Sequence, residues 1–370
     1  DTGATTWSST DTLVPDTHYL VTATALDASG RPTTKSTAFT TAAPAKVLGL
    51  KIAPLEGEVV GVGMPIVVYF TTAVTDKAAV ERALTVDTSD EILGAWHWYG
   101  SKEVHYRPAL YWPAGEKITV HADLKGVNAG KGVWGAENRT LNFSVGDSHV
   151  TTVDAKTHEM SVAVNGHVVR VAPVSTGRDK YPTTSGVHVV LEKTPSIIMD
   201  SATVGIPKGN PDYYYEKVDW DVRISWSGEF VHSAPWSTSS QGHANVSHGC
   251  VNASPADAAW FYSLSRRGDI VVVTNTGRPL VSGNGWTDWN MDWEHWLAGS
   301  AISGAGISSY FSAQPSTHSS VATKNPAYAS PSKSPSPSKS PSPSASVSPS
   351  VSASEPASSA PVTPTPSPTP

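Results

Sequence analysis

The chain holds one cysteine among 370 residues, Cys250, inside the run Ser247-His248-Gly249-Cys250-Val251-Asn252. A thiol attacks a carbonyl carbon as its thiolate, so near neutral pH it needs a base or a cation within hydrogen-bond reach. Two histidines are available. His248 is two residues away, on the same side of an extended segment but poorly placed to accept the thiol proton. His232 is eighteen residues upstream, at the end of a strand expected over 229–232, and a returning loop can bring it beside Cys250. Gly249 admits backbone conformations that other residues resist and lets an acyl group approach the main chain. The amides of His248, Gly249 and Cys250 are then candidates to meet a developing oxyanion. A helix expected after Ser254 would aim a positive dipole end toward the thiol, which predicts a lowered thiol pKa.

By themselves these residues leave two other readings open. A buried, inert thiol at a strand end, with satisfied imidazoles nearby, fits the same pattern. His232, His243, His248 and Cys250 also amount to four potential zinc donors, although the short paired spacing of zinc sites is missing. A lone cysteine does exclude an intrachain disulfide and any zinc site built on two or more thiolates.

The elements that must position these groups read mostly as strands. Alternation and β-branched content place strands at about 149–154, 159–164, 167–174, 186–191, 220–225 and 269–274. One helix is clear. Ser254 is its N-cap, Pro255 its first residue and Asp257 its first-turn acid; it runs through Trp260, Phe261 and Leu264 to Arg267, with Gly268 as the stop. Upstream, seven or so short β segments between 45 and 146 read as a sandwich. The segment 76–83 is its one helical stretch, and Trp96, Trp98, Tyr106, Tyr111 and Trp112 are expected in its core rather than on a sugar-binding surface. Residues 1–44 give a hairpin about the turn at 28–32, too poor in apolar mass to stand alone and read as part of a β-domain. After Pro279 a helix is expected over 288–298, placing Trp286, Trp289, Trp293 and Trp296 on one face that docks onto the neighbouring domain.

Composition narrows the function classes. Apolar residues make up 39% and charged residues 16%, both below the usual ~45–50% and ~25%. The shortfall is concentrated in the last 58 residues, which hold 14 of the 29 prolines. That tail is expected to be disordered, as a wall-spanning spacer or an O-glycosylated stalk. A net charge of −6 with no basic cluster argues against nucleic acid, and the lack of a run of about 18 apolar residues argues against a transmembrane span. A chain opening at Asp1 without a signal peptide reads as a processed or truncated product.

Fourteen residues separate His232 from Ser247-His248-Gly249-Cys250, with Asn252 two further on. This run resembles the signature of the L,D-transpeptidases of the YkuD-domain family. The likeness extends through 173–178, 184–186, 198–201, 218–220 and 267–270. The Trp-rich end is similar to the C-terminal subdomain of actinobacterial members, in which immunoglobulin-like domains precede the catalytic domain. The resemblance covers about 1–312 and implies a mainly β protein. Its expected parts are a partial immunoglobulin-like β-domain (1–44), an immunoglobulin-like β-sandwich (45–146) and a β-rich YkuD-like catalytic domain with one or two short helices (147–275). A Trp-rich subdomain (276–312) and the disordered C-terminal tail (313–370) follow.

What the resemblance implies is peptidoglycan cross-linking through a cysteine thioester. Cys250 would be the nucleophile and His232 its base, oriented by the backbone carbonyl of Ser233. The amides of His248, Gly249 and Cys250 would hold the oxyanion. Met199 and Tyr214, in a lid over about 197–218, would line the substrate site with Trp236, Ser247 and Asn252. Val204 stands where relatives can carry an aromatic, and Thr184-Ser185-Gly186 departs from a common Thr-Pro-x-Gly pattern. The implied partners are a tetrapeptide-stem donor, a diaminopimelate amine acceptor and carbapenem-type inhibitors. No cofactor and no metal are implied, and the expected location is extracytoplasmic, in the cell-wall space, secreted or lipid-anchored. The rival readings are an L,D-carboxypeptidase using the same Cys–His site with water, and a non-catalytic wall-binding module. A sortase is disfavoured because Arg266 and Arg267 fall within the expected helix.

Overall fold

Regular alternation of buried and exposed side chains builds the N-terminal sandwich in the computed structural model, which describes residue 9 and residues 13–302. The tail expected over 313–370 lies outside the described residues. One four-stranded sheet orders Val59–Val60, Asn138–Val145, Lys117–Asp123 and Leu84–Thr88; the other orders Leu50–Ala53, Ile66–Phe70, Glu103–Pro108 and Gly94–Tyr99. In Lys117–Asp123 every second residue, Ile118, Val120 and Ala122, points into the core, as a half-buried strand requires. Trp96, Trp98, Tyr106 and Trp112 are buried there, and Tyr111 packs against them. Their indoles are not left unpaired: Trp96 donates to Leu84 O at 3.1 Å and Trp112 to Met64 O at 2.7 Å, as buried polar tips demand. Ahead of the sandwich, His18–Leu26 pairs antiparallel with Pro32–Thr40, and both strands are largely exposed.

The sandwich core runs on into the following domain. Val187, Val189, Leu191, Ile270, Trp286 and Trp289 belong to the same apolar cluster as the sandwich interior. The backbones meet directly, with Gly61 N donating to Arg267 O and Gly63 N to Gly268 O, both at 2.8 Å. A Cβ on Gly61 would lie 2.2 Å from Asp269 N, so only glycine permits this approach.

That contact corrects the expected helix end. The helix covers Pro255–Leu264, with Ser254 capping Asp257 N as expected. It stops short of Arg267 because Ser265 turns extended and spends both its N–H and its hydroxyl on Phe261 O. The Asp269 carboxylate then takes Arg266 N at 2.6 Å. Gly268 serves the docking contact rather than the helix stop.

The second domain is one nine-stranded sheet. Its order is Gly186–Val189, Ile270–Thr274, His149–Asp154, Glu159–Val164, His167–Ser175, Val251–Ala253, Phe230–Ser233, Tyr215–Arg223 and Glu192–Asp200. The helix lays Ala258 and Phe261 against Val222, Val231 and Val251 on one face. Most expected strands are present, but 220–225 is the end of a longer strand from Tyr215, which pairs with Glu192–Asp200 as a hairpin. Trp220 interrupts the period there, with φ at +63°, so alternation read from sequence begins only after it.

The Trp-rich end also differs in detail. A 3-10 turn over Asp288–Asn290 and a separate helix Trp293–Ala298 replace the single expected helix. Two contacts make the break: the Asp292 carboxylate caps His295 N, and buried Arg107 of the sandwich donates to Met291 O at 2.8 Å. The rings of Trp289, Trp293 and Trp296 surround that guanidinium at 4.5–5.3 Å. The aromatic run therefore does dock onto the sandwich, as a cation–π cage rather than a helical stripe.

One buried pair should carry much of this docking. His105 presents Nδ1 to Asp288 at 3.0 Å and Nε2 to Glu103 at 2.7 Å, and Tyr99 OH donates to Asp288 at 2.8 Å. Burial opposes the imidazolium, but the Asp288 and Glu103 carboxylates outweigh it and raise the His105 pKa to about 9. A raised folded-state pKa gives stability that is full below the ordinary 6.5 and lost as pH rises through about 9. Asp288→Asn should cost about 3–5 kcal/mol near pH 6, the usual penalty for breaking a buried pair, and clearly less at pH 10. Urea unfolding at both pH values reads this directly.

Candidate active site

His232 sits on Phe230–Ser233, whose Phe230 and Val231 are buried, and this strand runs parallel to Val251–Ala253 with His232 opposite Asn252. The Ser233 carbonyl lies 2.9 Å from His232 Nδ1. A carbonyl only accepts, so Nδ1 carries the proton and Nε2 is left with a lone pair. The ring is only 3% exposed, and burial, against the Ser233 carbonyl, lowers its pKa to about 4. At neutral pH it is an uncharged imidazole ready to take a proton.

Cys250 immediately precedes Val251–Ala253, and its register puts the thiol level with Phe230. Its Sγ–H donates to Gly228 O at 3.6 Å. Burial pushes the thiol up to about 12, with the Phe230 amide pulling the other way. This reverses the lowered pKa expected from the helix dipole. The helix begins at Pro255, a whole strand beyond the sulfur, and a dipole end acts only within about a turn. Among the described residues no hydrogen bond joins the thiol to the His232 ring, yet both line one cavity of about 260 Å³.

Gly249 has φ at +125°, outside the range of other residues. Its carbonyl takes Thr183 Oγ1 at 2.7 Å and its N–H donates to Ser247 Oγ at 3.1 Å; that hydroxyl in turn donates to Cys250 O at 2.6 Å. Ser247 thus clamps the turn carrying Cys250, and the Gly249 amide is engaged inside it. His248 points elsewhere. Arg178 Nη2 donates to its Nε2 at 2.8 Å, and the Tyr181 and Tyr214 rings flank it at 5.2 and 4.9 Å. Burial, then the Arg178 charge, lowers its pKa. No group of three or more His, Cys, Asp or Glu side chains arranged as metal donors occurs among the described residues.

The hairpin Glu192–Asp200 and Tyr215–Arg223 brings Met199 and Tyr214 to the cavity, where they join His232, Trp236, Ser247, His248, Cys250 and Asn252. Trp236 is the exposed rim at 54%, and Asn252 Nδ2 is held by Ser237 Oγ at 3.1 Å. Ser233 and Gly249 support the site from behind, through the carbonyl and the turn already described. Reasoning from sequence missed Glu216, Val218 and Val246, which also line the cavity. It also missed Asp212 on the lid, which pairs with Arg178 and Lys180 at 2.6 Å each and accepts from Tyr181 OH. Buried Glu229 was missed too; it ties the turn before Phe230 to Thr184 N and Oγ1 at 2.8 and 2.6 Å. None of these carries a local signal: a lone acid or valine looks the same in sequence whether or not a cavity lies beside it.

Fold and cavity together define an enzyme-like β-protein in which cysteine and histidine share one cleft behind an immunoglobulin-like sandwich. Residues 1–128 match the family described as bacterial Ig domain, and residues 148–273 match YkuD, the L,D-transpeptidase catalytic domain. The chain is 43% identical over 296 residues to L,D-transpeptidase 2 of Mycobacterium tuberculosis, covering 80% of this chain and 72% of that one. It is 39% identical to L,D-transpeptidase 1 of the same organism over 60% of this chain and 83% of that one. Among solved structures, an LD transpeptidase in complex with imipenem superposes with a TM-score of 0.54 at 38% identity, over 62% of this chain and 100% of the other. An L,D-transpeptidase from Mycobacterium smegmatis gives 0.52 at 36%, over 62% and 99%. The chain belongs to the L,D-transpeptidase family, and it is an enzyme of that family.

Proposed function

We propose that this enzyme forms 3→3 cross-links between peptidoglycan stems through a thioester on Cys250. The observation that carries this reading is the fixed tautomer of His232, whose unprotonated Nε2 shares a cavity with the thiol. The Cys250 thiol gives its proton to His232 Nε2 as sulfur attacks the carbonyl of the third stem residue, a diaminopimelate. The carbon–nitrogen bond to the terminal D-Ala breaks, and His232 returns the proton to the leaving amine. A second stem's diaminopimelate amine then attacks the thioester, its proton passing back through His232 to the sulfur. With the Gly249 N–H engaged by Ser247, the His248 and Cys250 amides are the proposed oxyanion donors. Met199, Tyr214, Trp236 and Asn252 hold the stems.

We further propose that the protein works outside the cytoplasm, in the cell-wall space where its proposed substrate lies. No helix among the described residues is long and apolar enough to cross a membrane. Relatives have been solved with imipenem and, for L,D-transpeptidase 3 of Mycobacterium tuberculosis, with a faropenem-derived adduct. This chain is proposed to take carbapenems at Cys250 in the same way.

The test is mass spectrometry after incubation with a tetrapeptide-stem muropeptide, with and without a second stem. The expected result is an adduct on Cys250 lacking D-Ala, followed by a 3→3 dimer. Tripeptide in place of dimer would make the enzyme a carboxypeptidase, and no adduct on a reactive thiol would end the thioester reading.

A further inference from the structure

Glu216 lies on the strand Tyr215–Arg223, directly across the hairpin from Met199, and it lines the cavity that holds Cys250 and His232. It is the only carboxylate in that lining. Among the described residues no cation or hydrogen-bond donor is paired with it. Neighbouring charges are already matched with one another: Lys217 with Asp219, Arg223 with Glu192, and Arg178 and Lys180 with Asp212. Tyr214 feels the Glu216 charge, which helps burial to raise its phenol pKa. The cavity wall therefore carries one uncompensated negative charge in a lining otherwise made of apolar side chains, hydroxyls, an amide, a thiol and imidazoles.

We infer that Glu216 reads the side-chain ammonium of a stem diaminopimelate, making it a specificity-determining residue of this site. The inference rests on the proposed cross-linking reaction, in which the donor carries such an amine at the far end of the side chain of the attacked residue and the acceptor brings one to the thioester. A carboxylate accepting from an ammonium is a charge-assisted bond, about twice as strong as a neutral one. Glu216 is itself exposed, so the pair is screened by solvent and salt and its contribution is modest. Glu216 lies opposite Met199, one of the residues proposed to hold the stems, and the donor stem is taken first because it must bind before any thioester forms. The acceptor stem offers the same chemistry.

The experiment compares wild type with Glu216→Gln in separate arms. In the first arm, thioester formation is followed with donor tetrapeptides carrying diaminopimelate or an uncharged norleucine at the third position. In the second, the thioester is preformed and a diaminopimelate stem or water is supplied as acceptor. The expected result is a rise of about 10-fold in KM for the ammonium-bearing stem, most of it in the donor arm, weakening as salt is raised. The norleucine donor, hydrolysis and acylation by faropenem, which has no cationic side chain, should be unchanged. A rise in KM confined to the acceptor arm keeps the inference and moves its source to the second stem. Equal KM values in both arms would overturn it, as would a parallel loss of faropenem acylation, which would mark Glu216 as a shaping residue. Absence of any thioester in wild type would instead overturn the underlying reaction.

Discussion

His232→Ala should slow acylation of Cys250 by about 10²–10⁴-fold, both with a donor stem and with a carbapenem. The size follows from the thiol's environment. A thiol pushed up to about 12 is ionised in only about one molecule in 10⁵ at pH 7, so no standing thiolate is available to attack. In the proposed reaction the proton leaves as the carbon–sulfur bond forms, and Nε2 of His232, which lines the same cavity, receives it. The pH profile makes the same point. A base with its pKa lowered to about 4 is inactivated only as pH falls through that value, so acylation should stay flat from about pH 5 to 8. Rapid-mixing mass spectrometry of wild type and variant measures both. An acid limb centred near 6.5 would mean that the imidazole titrates as a solvated one, and a variant within threefold of wild type would mean that His232 is not the base.

Asp221→Asn should stabilise the protein by about 2–4 kcal/mol at pH 8. Asp221 is 0% exposed, and neither carboxyl oxygen has a hydrogen-bond partner of ordinary length. Burial first, and Asp219 next, raise its pKa to about 7. The folded-state value lies above the unfolded 3.8, so stability is full below about 3.8 and lost as pH climbs through about 7. A shift of roughly three units at about 1.4 kcal/mol each sets the upper bound. An amide avoids the cost of ionisation. Calorimetry should therefore find the variant's Tm higher by several degrees at pH 8, with the difference closing toward pH 4. Equal pH dependence in both proteins would mean that the carboxylate is solvated in solution. The position also brings this group near the candidate site. Continuing the ladder from Val222 opposite Val231 sets Asp221 level with His232, and its charge opposes ionisation of the Cys250 thiol.

Much of the site was legible because its signals are local. The spacing of His232 from Ser247-His248-Gly249-Cys250 marks the candidate nucleophile and base, and the fold brings both to one cavity. Ser254, Pro255 and Asp257 announce the helix start through capping chemistry confined to four residues. The sandwich strands follow from alternation, and eight of the ten residues expected at the site line one cavity. The failures share a cause. The helix end moved because Ser265 and Asp269 compete for its last turn, and the tryptophan helix broke around an arginine far away in sequence.

The sequence by itself singled out the candidate atoms, a single thiol and an upstream imidazole, and the likeness of their spacing to a family signature chose among the readings those residues left open. Tertiary structure alone decided their protonation. Desolvation raised the thiol instead of lowering it and held the imidazole neutral, while the Ser233 carbonyl chose the tautomer. Glu216 and Asp221 likewise gained their meaning only when the lid hairpin carried one to the cavity and the other behind it. Residue type and spacing fix a group's intrinsic chemistry, but its pKa depends on the solvent and charges around it, and those are set by segments that meet only in the folded chain.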